Sequence, residues 1–308
     1  MTACGGGGFS YVGEPFNYTA QPVITVTARN FAGNTTSLYA GGWWRISNSS
    51  LTPGTQAARY SAASGTLDVS GLPVVAGDPV VAATGSGAGT LIFSSGDGLA
   101  FARRTHMAPF DAEISLAINV VDADGVAYPT NPARFGQAAA GNGMVFSPDK
   151  EMRFGRLRLI GASGSQLRPL SVPFEVQYWI GTFFATNTAD MCTTVASSNI
   201  GLDNYLGNLN GGDTAVMAVS ALSGGRGTIT LGAPGAGNSG SVDLAINLGA
   251  GANAAACPAF TPATATPAEL AWLRGQWCGA AYDDDPAARV RFGIRSGAGE
   301  RIYMRENY

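Results

Sequence analysis

The sequence predicts an all-β protein built from serial immunoglobulin-like β-sandwich modules, with one short helix near residues 267–277. Three observations support this fold class. Glycine accounts for 43 of the 308 residues, about twice its usual share. Charged residues make up 13% of the chain, against about 25% in ordinary soluble proteins. Apolar and polar residues alternate in many short runs, which is typical of half-buried strands.

This composition excludes several other classes. A coiled coil or helical bundle needs many charged residues and leucines at helical spacing. A disordered tail needs a low apolar content and a high net charge, whereas this chain is 45% apolar with a formal net charge of -3. Many short strands joined by glycine-rich turns fit the sequence best.

Each predicted strand follows one of the alternating runs. In chain order these are residues 22–28, 91–93, 99–101, 114–120, 152–159, 172–178, 242–248 and 290–294. The segment Ser95-Gly96-Asp97-Gly98 predicts a hairpin between the second and third runs. A second turn, Ser296-Gly297-Ala298-Gly299, is expected to pair the last run with a final strand at residues 301–305.

The helix is predicted from its N-terminal signals. Thr266 is suited to the N-cap, Pro267 to the first helical position, and Glu269 lies three residues after the cap. An apolar face at helical spacing follows, formed by Leu270, Leu273 and Trp277.

The strands group into three predicted domains. These are an N-terminal β-sandwich at 1–105, a central β module at 106–188, and a C-terminal β-sandwich with the helical insertion at 189–308. The chain begins with Met1-Thr2-Ala3-Cys4 and four glycines, without the basic start and apolar core of a secretory signal. We therefore expect it to be a fragment of a longer protein, cut at a glycine-rich joint.

Charge and hydropathy exclude two kinds of partner. The isoelectric point is near 5.2 and Lys150 is the only lysine, so no basic patch is available for nucleic acid. The sequence has no uninterrupted run of about 18 apolar residues. We therefore expect no membrane insertion by this fragment.

The four cysteines predict disulfides. An even number in a lysine-poor all-β chain is typical of an oxidising compartment. Three connectivities are possible. We favour Cys257 with Cys278, which flank the predicted helix, and this leaves Cys4 with Cys192. The alternative is that some of them are free, buried thiols.

Motifs for catalysis or cofactor binding do not fit their structural requirements. No G-x-S-x-G sequence is present and His106 is the only imidazole, which argues against a nucleophilic hydrolase. Residues 235–240 match G-x-G-x-x-G, but an alternating strand follows instead of a phosphate-binding helix. Asp122-x-Asp124-Gly125 begins like a calcium loop, yet lacks the later oxygen ligands. We predict no enzyme activity, no cofactor and no metal.

Three groups of residues are candidates for a ligand or partner surface. Trp43 and Trp44 are adjacent, so in a strand they would point to opposite faces, one into the core and one outward as a stacking platform for a sugar. The favoured alternative is that loops shield both. The run Asp283, Asp284 and Asp285 is interpreted as a solvated turn, with a calcium site as the alternative. The third group lies on the final hairpin and includes Arg289 and Arg291. It is interpreted as the solvated face of a sandwich, with a docking surface for an acidic partner as the alternative.

Longer segments resemble a known family. They are Gly13-Glu14-Pro15-Phe16, residues 94–101, 108–114, 153–159 and 173–179, and the closing runs 282–286, 288–294 and 302–306. These resemble the large C-terminal domain of MshQ-like proteins, linked to biogenesis of the mannose-sensitive haemagglutinin type IV pilus. The resemblance implies an extracellular or cell-surface location on a Gram-negative bacterium. It carries over no catalytic residue.

From residues and resemblance together we predict a non-enzymatic extracellular module of a pilus-associated surface protein. It would act in pilus biogenesis or attachment, with other pilus or cell-surface proteins as partners. The alternative is a carbohydrate-binding adhesin module that uses the tryptophans and the acidic loop, with glycans as ligands. A hydrolase with a carboxylate pair is a third hypothesis, for which no pair is selected by the sequence.

Overall fold

A computed structural model describes residues 8–18, 20–96, 98–136, 146–147, 151–249, 257 and 265–293. The fold is all-β, as predicted, and is consistent with β-sandwich modules. The chain forms two compact units. The first contains Met1–Arg156, Gln177–Thr193 and Ala271–Leu273, and the second contains Leu157–Val176, Thr194–Leu270 and Arg274–Tyr308.

The first unit is built from short strands. In chain order they are β1 (Phe9–Tyr11), β2 (Asn17–Tyr18), β3 (Val23–Thr27), β4 (Leu51–Thr52), β5 (Tyr60–Ala62), β6 (Leu67–Asp68), β7 (Val80–Gly85), β8 (Ala88–Ile92), β9 (Ala100–Phe101), β10 (Phe110–Asp111), β11 (Ile114–Val120), β12 (Ala133–Phe135), β13 (Phe146–Ser147) and β14 (Glu151–Arg153). Their sheets have the orders β1-β14-β10, β12-β11-β4 with β5 also on β11, β3-β8-β7, β13-β2 and β6-β9.

Alternation along β11 explains its central place in this unit. Ile114, Leu116 and Ile118 are fully buried, and a strand places every second side chain on the same face. One helix, α1 (Gln56–Arg59), precedes β5 and was not predicted; the Thr55 hydroxyl accepts the Ala58 N–H at its start. Short 3₁₀ turns cover Gly41–Trp43 and Asn48–Ser50.

The N-terminal strand of this unit has partners far along the chain. Strand β1 pairs in parallel with β14. The buried Tyr11 hydroxyl donates to Asp190 at 2.7 Å and accepts from Asn187 at 2.7 Å. Burial, with the Asp190 carboxylate beside it, raises the pKa of Tyr11 well above its usual range, so the phenol stays a neutral donor.

The remaining strands are β15 (Gly155–Leu159), β16 (Ser163–Gly164), β17 (Leu170–Trp179), β18 (Phe184–Thr186), β19 (Ile200–Gly207), β20 (Val216–Val219), β21 (Arg226–Leu231), β22 (Gly240–Ile246) and β23 (Ala287–Phe292). They form one sheet of order β15-β17-β21-β20 with β18 on β17, and another of order β16-β23-β22-β19. Residues 177–179 of β17 and all of β18 belong to the first unit.

The second unit has a well-buried core. Alternate residues of β17, Val172 and Phe174, are at most 1% exposed, and so are Val242 and Leu244 of β22. Strand β22 is hydrogen-bonded on both edges, to β19 and to β23. Its burial thus comes from neighbours in the sheet as well as from side-chain packing.

The helix predicted near residues 267–277 is reduced to a single 3₁₀ turn, Ala271–Leu273. Glu269 adopts φ = +55°, which a right-handed helix does not allow. The N–H groups of residues 268–270 donate instead to the carbonyls of Asn247, Gly249 and Leu248. These long-range partners outcompete the local capping signals. No helix in the described part of the chain is long and apolar enough to cross a membrane.

The predicted hairpin between residues 91–93 and 99–101 is wrong. Strand β8 pairs with β3 and β7, whereas β9 pairs with β6. Asp97 and the predicted strand at 301–305 lie outside the described residues. The predicted domain boundaries near 105 and 188 stay predictions.

Candidate binding groove

The first unit contains a cavity of about 560 Å³, open to solvent. It is lined by β3, by β12 and by residues from the stretches 36–46 and 120–128, and we call it the groove. Ligand sites usually have volumes of about 300–1,000 Å³. The groove is therefore large enough for a small ligand or a short peptide segment.

Strand β3 forms one wall of the groove. All five of its residues are β-branched, and such residues favour extended backbone. Within the described strands its only partner is β8. Val23 is 47% exposed, and Ile24 and Val26 are only half-buried. The wall is thus an edge strand with much of its apolar surface in water.

The pairing register shows which backbone groups of β3 face outward. Phe93 N–H donates to the Pro22 carbonyl, and Ala28 N–H donates to the Gly87 carbonyl. The register between these two ends has no shift, and bonding alternates with period two in an antiparallel pair. Val23, Thr25 and Thr27 therefore direct their N–H and C=O groups away from β8. We call this side of β3 the open edge.

Strand β12 presents a second, shorter edge to the same cavity. It pairs with β11, and the bond from Ala63 N–H to the Glu113 carbonyl fixes which β11 residues bond towards β5. By the same alternation, Ala133 and Phe135 bond towards β11 and the backbone of Arg134 faces outward. Two strand edges thus line one cavity.

Apolar and hydroxyl side chains complete the walls. Ile46, Val120 and Phe135 line the cavity, and Phe135 packs edge-on against Phe93 with ring centroids 5.7 Å apart. Thr25 adds a hydroxyl group, whereas the Tyr39 hydroxyl already donates to Asp122 and accepts the Arg45 N–H. The lining therefore offers both apolar contact and hydrogen-bonding groups.

Asp122 is in the lining, and both of its carboxylate oxygens already accept hydrogen bonds from the protein. Its Oδ2 accepts the Tyr39 hydroxyl at 2.9 Å, and its Oδ1 accepts the N–H groups of Asp124 and Val126 at 3.0 and 2.8 Å. Burial and this hydrogen bond raise the pKa of Tyr39. The segment is a turn.

Two arginines give the groove a positive character. Arg29 and Arg134 both line it, and both are exposed. The Arg29 guanidinium donates to the Gly33 carbonyl at 2.9 Å. Neither forms an ion pair with any residue that the structure describes. Their positive charges are therefore available to a ligand.

The two adjacent tryptophans do not lie in a strand. They differ in exposure, so the favoured interpretation that loops shield both is wrong for Trp43. Trp43 ends the 3₁₀ turn Gly41–Trp43 and is 70% exposed. Trp44 packs against Tyr39 with centroids 5.5 Å apart and lies so close to Gly89 that a side chain there would collide with its ring. The turn begins at Gly41 with φ = +58°, which suits glycine.

Within the acidic run, the Asp284 carboxylate organises a loop. Its Oδ2 accepts three backbone N–H groups, those of Trp277, Cys278 and Gly279, at 2.9 to 3.2 Å. Burial alone would raise the pKa of Asp284, but these donors and Arg274 together lower it. The oxygen is thus committed to the protein, which argues against the calcium alternative.

The proposed surface role of Asp285 is wrong, because this residue is completely buried. Its Oδ1 accepts from Arg274 at 2.8 Å and from the Leu248 N–H at 3.2 Å. Only Asp283 of the run is exposed. The run therefore contributes one residue to the surface.

The predicted Cys257–Cys278 disulfide is present, with an S–S length of 1.97 Å. These sulfurs and the Asp284 carboxylate lie within 4.8 Å of one another. The sulfurs are bonded to each other, so they do not serve as thiolate ligands. The predicted partner of Cys192 is Cys4, which lies outside the described residues.

The two arginines of the predicted docking surface differ. Arg289 forms a two-point ion pair with the buried Asp243, at 2.7 and 2.8 Å. This pairing raises the pKa of Arg289. Arg291, two residues on, is exposed on the same strand. Only Arg291 keeps the character of a free surface residue.

His106 lies in an aromatic cluster of the first unit. Its ring centroid is 4.0 Å from that of Trp179 and 6.3 Å from that of Phe184. Arg103 and Arg156 stack on rings of the same cluster, at 4.5 Å from Phe154 and 3.8 Å from Phe184. These contacts are typical of structural packing.

Sequence reasoning missed the groove, including Arg29 and Arg134. Ile24 and Val26 alternate with Thr25 and Thr27, which correctly predicts a half-buried strand. This local pattern carries no signal that the outer edge of the strand stays unpaired.

Comparison with protein-family models gives two matches. Residues 1–146 match the model described as DUF6701, third domain, and residues 153–307 match DUF6701, fourth domain. No curated protein matches the chain.

Proposed function

We propose that this chain, which belongs to the DUF6701 family, is a non-enzymatic binding module of a bacterial surface protein. The observation that carries the proposal is the groove of the first unit. It combines an apolar lining, two strand edges and two cationic side chains in a cavity of about 560 Å³. Those features suit a partner, and the sole imidazole, His106, packs against Trp179.

The resemblance to MshQ-like proteins supplies a biological setting for the proposal. In that setting the module acts at the surface of a Gram-negative cell, in biogenesis of a type IV pilus or in attachment. The Cys257–Cys278 disulfide supports an oxidising compartment, because structural disulfides persist mainly outside the cytosol.

Genetic complementation tests this function. The coding region is deleted from the bacterium that encodes it, then restored with the wild-type chain or with Arg29→Glu/Arg134→Glu. We expect deletion to reduce surface pili or attachment, wild type to restore them, and the double variant to fail. Arg291→Glu is the control. Normal pili and attachment in the deletion strain would contradict the proposal.

A second candidate function is carbohydrate binding, which the exposure of Trp43 favours. An exposed indole can stack on the apolar face of a sugar ring, and Trp43 is 70% exposed. A glycan array would test it with Trp43→Ala, with Phe31→Ala as the control at a second exposed aromatic. Binding lost in Trp43→Ala alone would support this function, and no binding by the wild type would exclude it.

A further inference from the structure

We infer that the groove receives an extended segment of a partner protein, which adds as a strand to the open edge of β3. The inference rests on the proposed function and specifies its ligand as a peptide. The outward-facing N–H and C=O groups of Val23, Thr25 and Thr27 would form the ladder, as in other cases of strand addition. Main-chain bonds would supply affinity, and side-chain contacts in the groove would supply selectivity.

The two edges of the sheet that contains β3 differ in how they are protected. Edge strands template unwanted pairing unless prolines, charges or bulges prevent it. Both edge strands follow a proline, Pro22 before β3 and Pro79 before β7. Strand β7, at the far edge, also has a bulge between Ala83 and Gly85. The residues of β3 include no proline or charge, and its register has no shift. This unprotected edge lies along the cavity.

The size of the edge sets the length of the segment. Strand β3 has five residues, and antiparallel strands rise about 3.4 Å per residue, so the open edge is about 17 Å long. A segment of about five to seven residues would cover it. The half-buried Ile24 and the groove residues Val120 and Phe135 would contact its apolar side chains, which implies apolar residues at alternate positions.

The charges of the groove select among such segments. Arg29 and Arg134 have no ion-pair partner in the described part of the chain, and Asp122 already accepts three protein donors. A carboxylate in the partner would complement these guanidinium groups. The occupant is therefore an extended, alternating apolar segment that carries Asp or Glu.

A proline variant tests the ladder directly. Proline is tolerated on an edge whose N–H faces solvent, but it removes the donor and obstructs a neighbouring strand. Thr25→Pro should abolish strand addition, whereas Thr25→Val keeps the N–H. Ala83→Pro is the matched control, because the same alternation turns its backbone away from β8 on the far edge.

The probe is a phage-displayed library of random nine-residue segments, selected on the full chain. We expect enriched segments with alternating Val, Ile, Thr or Tyr and at least one acidic residue. As synthetic peptides they should bind Thr25→Pro at least about tenfold more weakly than wild type, which corresponds to about one lost backbone hydrogen bond. Thr25→Val and Ala83→Pro should bind within about twofold, well below one hydrogen bond. Arg134→Glu should weaken only the acidic peptides.

N-methylated peptides keep the test valid if Thr25→Pro does not fold. In an added strand, every second peptide N–H faces β3. Methylation of those peptide amides should abolish binding, whereas methylation of the amides that face away should not. Enrichment of helical segments, equal binding by Thr25→Pro of unchanged melting temperature, or equal effects of both methylated sets would overturn the inference. So would a dimer of the wild type that Thr25→Pro dissociates, because the occupant would then be a second copy.

These outcomes are separable from those of the proposed function. If deletion of the coding region impairs pili or attachment but Thr25→Pro complements fully, the binding function stands and the strand mechanism fails. If deletion has no such effect, the proposed function fails even where peptides bind.

Discussion

Strand β3 of the first unit and strand β22 of the second are both predicted from their residues, but they differ in burial and in the number of neighbouring strands. Strand β22 has neighbours on both edges, and its last five residues are buried. Strand β3 has one neighbour and no fully buried residue. In both cases the local sequence favours a strand. The number of neighbouring strands then determines whether that strand is part of the buried core, as β22 is, or keeps an edge open to a ligand, as β3 does.

The two strands also differ in how charge is handled. On β22 the buried Asp243 is paired with Arg289 and accepts an N–H from Asn204 at 3.1 Å. At the groove, Arg29 and Arg134 are exposed. A buried charge is costly unless paired, so the pair on β22 is a structural requirement, and the cations at the groove are open to binding.

The largest difference between β22 and β3 should appear when one side chain of each strand is truncated to alanine. Leu244→Ala removes a fully buried side chain and should lower the free energy of unfolding by about 2–5 kcal/mol. Ile24→Ala, on the half-buried β3, should cost about 1 kcal/mol, because less apolar area is lost. Urea denaturation measures both. Equal losses would show that β3 contributes to stability as β22 does.

Removing the disulfide should have the next largest effect. Cys257→Ser/Cys278→Ser opens a crosslink between residues 21 apart in sequence and should cost about 2–4 kcal/mol. The effect should be confined to the second unit. Peptide binding at the groove should therefore persist at a temperature at which the variant's second unit has unfolded; loss of binding there would contradict this separation.

Charge reversal at two arginines of β23 separates a cation that is paired with a buried carboxylate from one that is exposed. Arg289→Glu leaves the buried Asp243 carboxylate without its cation and should cost about 1–3 kcal/mol. Arg291 is exposed on the same strand, so Arg291→Glu should change the free energy of unfolding by less than about 0.5 kcal/mol. Thermal unfolding of the two variants is the measurement. Similar melting temperatures would mean that the Asp243 pair is not required.

The smallest effect should be a pH dependence at Asp284. Its pKa is lowered in the folded state, so its stabilisation is present above the unfolded pKa and is lost as pH falls through the folded one, below about pH 4. Asp284→Asn should be less stable than wild type at pH 6, and the difference should shrink towards pH 3. Asp283→Asn controls for the charge change. A difference independent of pH would contradict the linkage.

The most strongly buried strands and the Cys257–Cys278 disulfide were predictable from the sequence. Alternation located β11, β17, β22 and β23, because each has one strongly buried face. The Cys257–Cys278 bond followed from cysteine number and position. The helix near 267–277 failed because its backbone N–H groups find partners at Asn247, Leu248 and Gly249, which no local signal reveals.

The candidate site was not predictable in the same way. A groove arises from which strands are left unpaired, and that depends on contacts such as those of β8 with both β3 and β7. The exposure of Trp43 was not predicted either, because it depends on a 3₁₀ turn and not on strand alternation. Arg29 and Arg134 are far apart in sequence, and only the fold brings them to one cavity.

The interleaved make-up of the first unit has a consequence for synthesis on the ribosome. Tyr11 and Asp190 are separated by 179 residues, which at roughly 5–20 residues per second takes roughly 10–40 seconds to translate. During that time β1 has no Asp190 to bind, and until residue 153 emerges it has no complete β14 either. Strand β1, which contains the apolar side chains of Phe9 and Tyr11, therefore lacks its native contacts until these later segments have been synthesised. Any factor that recognises nascent or unfolded chains meets β1 before its native partners do.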